Sequence, residues 1–135
     1  MDGQPLRPGR VPRLSRARFR RLVREAVEGL PEQLRAALHN VDVQVRWRPS
    51  PQELRQAGLR RGDVLFGLYT GVPLPQRGSH YTWALPDRII IYQEPHELAC
   101  ETLEEMVEQA RRTLLHEIGH YLGLDEERLR ELALD

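Results

Sequence analysis

The chain contains no lysine; its 20 basic residues are all arginine and are matched by 20 acids, for a formal net charge of zero. Without an excess of either sign, no global field draws the protein to nucleic acid or to an anionic membrane. The arginine bias suits ion-pair networks but follows equally from GC-rich coding, so it does not discriminate between functions. There is one cysteine, Cys100, which excludes an internal disulfide and a cysteine-based zinc cluster. It fits a reducing compartment and reads as a small buried side chain rather than a reactive thiol. An N-terminal apolar stretch of signal-peptide type is missing. So is any run of apolar residues long enough to span a membrane. The expectation is a cytoplasmic protein without a membrane partner. Its 135 residues, 40% of them hydrophobic, are enough for one domain with one modest core.

Residues 1–14, with three prolines, two glycines and three arginines, read as a flexible arm ahead of a single domain over 15–135. Eight arginines and no acid lie between Arg7 and Arg24. A solvated tail running into a helix face is preferred over an electrostatic docking arm for RNA or an acidic partner, because no aromatics are interleaved for base stacking. Ser15 is an N-cap candidate, and Phe19, Leu22, Val23, Ala26, Val27 and Leu30 recur at helical spacing until Gly29 and Pro31. A second short helix fits Pro31 to Leu38. Alternation of Val41, Val43, Val45 and Trp47 predicts a half-buried strand over 41–48. Ser50 and Pro51 open a short helix ending near Gly58. Val64 to Tyr69 and Arg88 to Gln93 read as two further strands, the last, with three consecutive isoleucines, central in its sheet. The connection Thr70 to Arg88, rich in Gly, Pro and Ser, is long enough to suggest a functional or mobile segment. A long helix follows from Thr102 to about Leu122, then a final short one from near Asp125. This order, without internal repeats, predicts an α+β domain in which helices pack on a small sheet.

The chemistry is carried by His116-Glu117-Ile118-Gly119-His120. At about 100° per residue, positions four apart lie about 40° apart, one turn on. The two imidazoles therefore point the same way and suit one zinc ion. Glu117 follows the first of them and can reach the water that such an ion activates. On the helical wheel Leu103, Val107, Ala110, Leu114, Ile118 and Tyr121 form an apolar stripe on the opposite side. This argues against a core role for the histidines. The competing reading is an exposed pair on a charged face, beside Glu105, Gln109 and Arg112. Gly123, three residues after His120, can end the helix in the left-handed conformation and turn the chain. That turn would bring Asp125 or Glu126 back as a third donor. Asp125 can instead cap the last helix while Glu126 favours its N-terminus, or the two can divide cap and ligand between them.

The run from His116 to Glu126 resembles the extended zincin pattern H-E-x-x-H-x-x-G-x-x-(H/D). More specifically, the chain is similar to the minimal zincin-like family of bacterial metallopeptidases from about residue 19 onward. The likeness takes in the first helix ending at Leu30-Pro31, the Val41–Val45 strand, Gly67 to Leu74, Leu85 to Ile89 and the His-Glu helix. It implies a compact zincin-like domain with a small mixed sheet, the metal motif on the penultimate helix, and an edge strand able to bind an extended peptide. It also implies His116 and His120 as zinc ligands, Glu117 as general base and an acidic third ligand at Glu126, with Asp125 as the alternative through a shifted turn. Glutamate stands where the pattern has histidine or aspartate. No methionine follows Met106, so the methionine turn of the metzincins is absent.

The expected activity is zinc-assisted hydrolysis of peptide bonds in a peptide or protein substrate, with Glu117 passing a proton from water to the leaving amine. His80 and Tyr81, in the long connection, are candidate oxyanion donors. The contrasting expectation is a non-catalytic protein that keeps the scaffold to bind a partner, its zinc structural or absent. A nucleic-acid partner is not expected. His39 and His96, far from the motif in sequence, are given no role.

Overall fold

A computed structural model describes residues 13–71 and 87–131. Helix α1 (Arg16–Glu28) starts where the Ser15 hydroxyl accepts the Arg18 N–H, and ends at Gly29. It is followed by α2 (Glu32–Ala37), a short 3-10 turn, and β1 (Asp42–Arg46). Helix α3 (Pro51–Gln56) opens with a full capping box: Ser50 and Glu53 each satisfy the other's backbone N–H, with Pro51 in the first turn. Strands β2 (Gly67–Thr70) and β3 (Arg88–Tyr92) come next, then α4 (Gln93–Ala99), α5 (Leu103–Tyr121) and α6 (Glu126–Glu131). No described helix is long and apolar enough to cross a membrane.

The sheet has the order β1-β3-β2, with β1 parallel and β2 antiparallel to β3. The α+β architecture and mixed sheet match expectation, and β3 is central because Ile89, Ile90 and Ile91 are all fully buried between two faces. Ile89 and Ile91 point towards α1 and α5, joining Phe19, Val23, Met106, Leu114 and Ile118 in the main core. Ile90, Tyr92 and Leu68 form a second, smaller core on the other face, against Ala57 and Leu65.

Several expectations are corrected. Leu14, placed in the flexible arm, is buried, and its N–H donates to Glu97 Oε2 at 3.0 Å. Gln93 Nε2 donates to the Leu14 carbonyl and to Glu97 Oε2, both at 2.8 Å. The chain is thus tied to α4 before α1 begins; residues 1–12 of the expected arm lie outside the described residues. Helix α4 was not anticipated: its proline, Pro95, sits in the first turn, where a missing N–H costs nothing. The second strand begins at Gly67 rather than Val64, which is 65% exposed. The buried face of α5 is wider than the apolar stripe on the wheel. Leu103 is 41% exposed, whereas Met106, Thr113 and Glu117 are buried, because α5 is packed by α1, the sheet and α4 together.

Candidate metal centre

Helix α5 is capped by the Thr102 hydroxyl, which accepts the Glu105 N–H, and carries two glutamates in its first turn. Nineteen residues later it ends in a Schellman turn. The Gly123 N–H donates to the His120 carbonyl and the Leu124 N–H to the Gly119 carbonyl, both at 2.9 Å. Gly123 has φ +86°, the left-handed region expected of it. The reversal returns α6 against α5, where the fully buried Leu129 packs on Gly119.

This return brings the proposed donors together. His116 Nε2 and His120 Nε2 lie 3.1 Å apart. Glu126 Oε1 is 3.1 Å from the first and 3.0 Å from the second. The ligand atoms of His116, His120 and Glu126 all lie within 4.8 Å of one another. Asp125 is used otherwise: its Oδ1 accepts the Arg128 N–H at 2.8 Å and caps α6. Of the two acids the turn returns, Glu126 is the one that faces the imidazoles.

Donor chemistry tests whether this cluster fits a cation. Two imidazole nitrogens and a carboxylate oxygen aim at one point, and a single shared proton bridges only some of their contacts. A metal ion at the centre would satisfy all three. Donors about 2.0–2.1 Å from a tetrahedral ion are roughly 3.3–3.4 Å apart. The observed separations of 3.0–3.1 Å are a few tenths of an ångström tighter. The set therefore fits a small divalent ion with little movement, and nitrogen-rich sites of this kind suit transition metals.

Glu117 sits on the inner side of the cluster and is 6% exposed. Its Oε1 accepts the Tyr69 backbone N–H at 2.8 Å. Its Oε2 is 3.9 Å from His116 Nε2. Burial pushes its carboxyl up to about 7; the His120 ring and the Tyr69 amide pull it down, and Glu126 adds to the rise. Tyr69 is itself fixed: its hydroxyl donates to Asp87 Oδ1 at 2.7 Å and its ring meets Tyr121 edge-on at 5.6 Å. Reading the sequence missed Tyr69, because a backbone N–H leaves no trace in residue identity.

A cleft of about 620 Å³ runs beside β2 over the cluster, walled by Leu59, Leu65, Leu68 and Leu124. A second, of about 380 Å³, continues from His116 and Glu117 past Phe66 and Arg112. A larger groove of about 850 Å³ lies between α1, α2 and β1, at the opposite sheet edge, and contains none of the candidate metal donors. His80 and Tyr81, the expected oxyanion donors, lie outside the described residues. His96 is in the core, 0% exposed. Cys100 is also buried, which raises its thiol pKa.

Comparison with known proteins agrees with this architecture. The profile of the zincin-like metallopeptidase family matches residues 38–134, from the end of α2 through α6. Helix α1, part of the likeness read from the sequence, lies outside the match. No curated protein matches the chain. With a family profile covering most of its length and a His-His-Glu cluster on the helix pair it spans, the chain belongs to the zincin-like metallopeptidase family.

Proposed function

We propose that the protein is a zinc-dependent peptidase, with His116, His120 and Glu126 as ligands and Glu117 as general base. The observation that carries this reading is the posture of Glu117. One carboxylate oxygen is held by the Tyr69 amide, while the other faces the donor cluster, in a buried position that raises its proton affinity. When bound, zinc supplies Lewis acidity towards water and the substrate carbonyl.

The chain's own residues do the rest. Glu117 Oε2 accepts a proton from the attacking water and returns it to the leaving nitrogen; Oε1 stays on the Tyr69 N–H, so the carboxylate does not rotate away. Strand β2 is a sheet edge beside the cleft, so an extended peptide can lie along it. Peptides or proteins are therefore the proposed substrates.

Protein purified without added metal or chelator should contain close to one zinc per chain, and His116→Ala should contain almost none. Glu117→Gln should keep its zinc and lose about 10²–10⁴-fold in peptide cleavage. Zinc-replete protein that leaves a diverse peptide library intact would refute the peptidase reading while leaving the metal site in place.

A further inference from the structure

The cleft has two unlike halves. Among the described residues, the Leu59–Leu124 side is lined by no arginine, and Asp125 is its one charged group besides the site itself. On the other side it is lined by Val64, Phe66, Gln109 and Arg112 before it reaches His116 and Glu117. Arg112 precedes His116 by four residues on α5, so its side chain lies on the same face, about 6 Å along the axis.

Among the described residues no hydrogen bond or close ion pair engages the Arg112 guanidinium, although its charge is felt by Glu108. The natural partner would be Glu108, one turn earlier. That carboxylate is taken by Arg111, whose Nε and an Nη donate to it at 3.0 and 2.7 Å. Gln109 is also committed, its amide donating to Thr113 Oγ1 at 3.3 Å. Among the described residues, a guanidinium whose donors are not engaged by a carboxylate is thus left beside the proposed site, next to an apolar wall that includes the exposed Val64. A guanidinium offers a planar fork that matches a carboxylate, and the wall suits a short aliphatic stem.

We propose that Arg112 is a specificity-determining residue that receives a carboxylate of the substrate, on one side of the scissile bond only. This rests on the peptidase reading above. The carboxylate can belong to a glutamate or aspartate side chain or to the substrate's own C-terminus.

The test uses the zinc-loaded full chain and a neutral peptide in which one glutamate is walked through positions on both sides of the cleaved bond, each with a free or amidated C-terminus. A glutamate or a free terminus at one position on one side should raise kcat/KM about tenfold or more, the worth of one charge-assisted hydrogen bond. Response to glutamate identifies a side chain; response to amidation identifies the terminus. Arg112→Gln should remove the preference and Arg112→Glu should reverse it towards an arginine-bearing peptide. Arg111→Gln should retain it. The same labelled peptides are titrated into zinc-loaded Glu117→Gln and read by fluorescence anisotropy, which needs no turnover. Cleavage without acid preference, or a preference that survives Arg112→Gln, overturns the carboxylate site and leaves the peptidase reading standing. No cleavage, but Arg112-dependent binding of the acidic peptides, overturns the peptidase reading and supports the carboxylate site. Neither cleavage nor binding overturns both.

Discussion

Gly67 shows how one residue sets the geometry of the proposed general base. A Cβ there would lie 2.6 Å from Thr113 Cγ2 and 3.0 Å from the Ile90 carbonyl oxygen, with Glu117 Cγ at 3.5 Å. The first neighbour is on α5 and the second is backbone of β3, so neither yields easily. Only glycine lets β2 approach α5 closely enough for the Tyr69 N–H to reach Glu117 at 2.8 Å. Gly67→Ala should push β2 outward, costing about 1–3 kcal/mol of stability. Cleavage should fall further than the fraction of folded protein does. Denaturant unfolding and kcat, measured on the same preparation, check both parts; unchanged values for each would show that the strand has room. The sequence marks Gly67 as part of a likeness, but this contact lies between residues 46 and 50 positions apart, which no local pattern encodes.

Among the elements, α6 decides whether the proposed third ligand is in place. It is only six residues long, too short to be stable alone. It is held by the Asp125 cap, by Leu129 in the core and by the turn at Gly123. Because Gly123 has φ +86°, Gly123→Ala should cost about 1–2 kcal/mol and swing α6, weakening zinc binding. Gly123→Asn, which tolerates the left-handed region, should recover most of both. Competition with a chromophoric chelator reads the affinity; an Ala variant with wild-type affinity would mean that Glu126 reaches the metal regardless of the turn. The likeness to the extended motif already points to an acid here, and the Schellman turn with the Asp125 cap explains why Glu126 is the one that faces the histidines. Capping takes one carboxylate, and the next residue is left facing the histidines.

At the scale of the whole molecule, the assembly meets at His96. Its ring lies against Phe19 at 5.6 Å and Phe66 at 5.1 Å, so it joins α1, the segment before β2 and its own helix. Nδ1 is 2.7 Å from the Tyr92 carbonyl, which can only accept, so Nδ1 carries the proton. Nε2 is then an acceptor, 3.2 Å from the Thr113 hydroxyl on α5. Burial lowers the pKa of this ring from 6.5 to about 4, with the Tyr92 bond opposing. In the unfolded chain it takes up a proton first as pH falls. The stabilisation is therefore complete above pH 6.5 and is lost between 6.5 and about 4. The loss from this group is about 3 kcal/mol. Urea unfolding at pH 7 and pH 4.5 should show a larger drop for wild type than for His96→Phe, which has no charge to gain. Equal drops would place the acid sensitivity elsewhere.

The sequence by itself determined the helix that carries the histidines, the central isoleucine strand, the left-handed turn at Gly123 and the α+β class. Each rests on local periodicity or on the conformational limits of single residues, which act over a turn or two of chain. Only the tertiary structure decided that Leu14 belongs to the core, that Pro95 starts a helix, that Glu126 rather than Asp125 faces the imidazoles, and that the Tyr69 amide holds Glu117. These depend on backbone groups and on packing between residues tens of positions apart. There, the need to bury apolar surface and to satisfy every buried polar atom selects one arrangement from several that the local pattern allows.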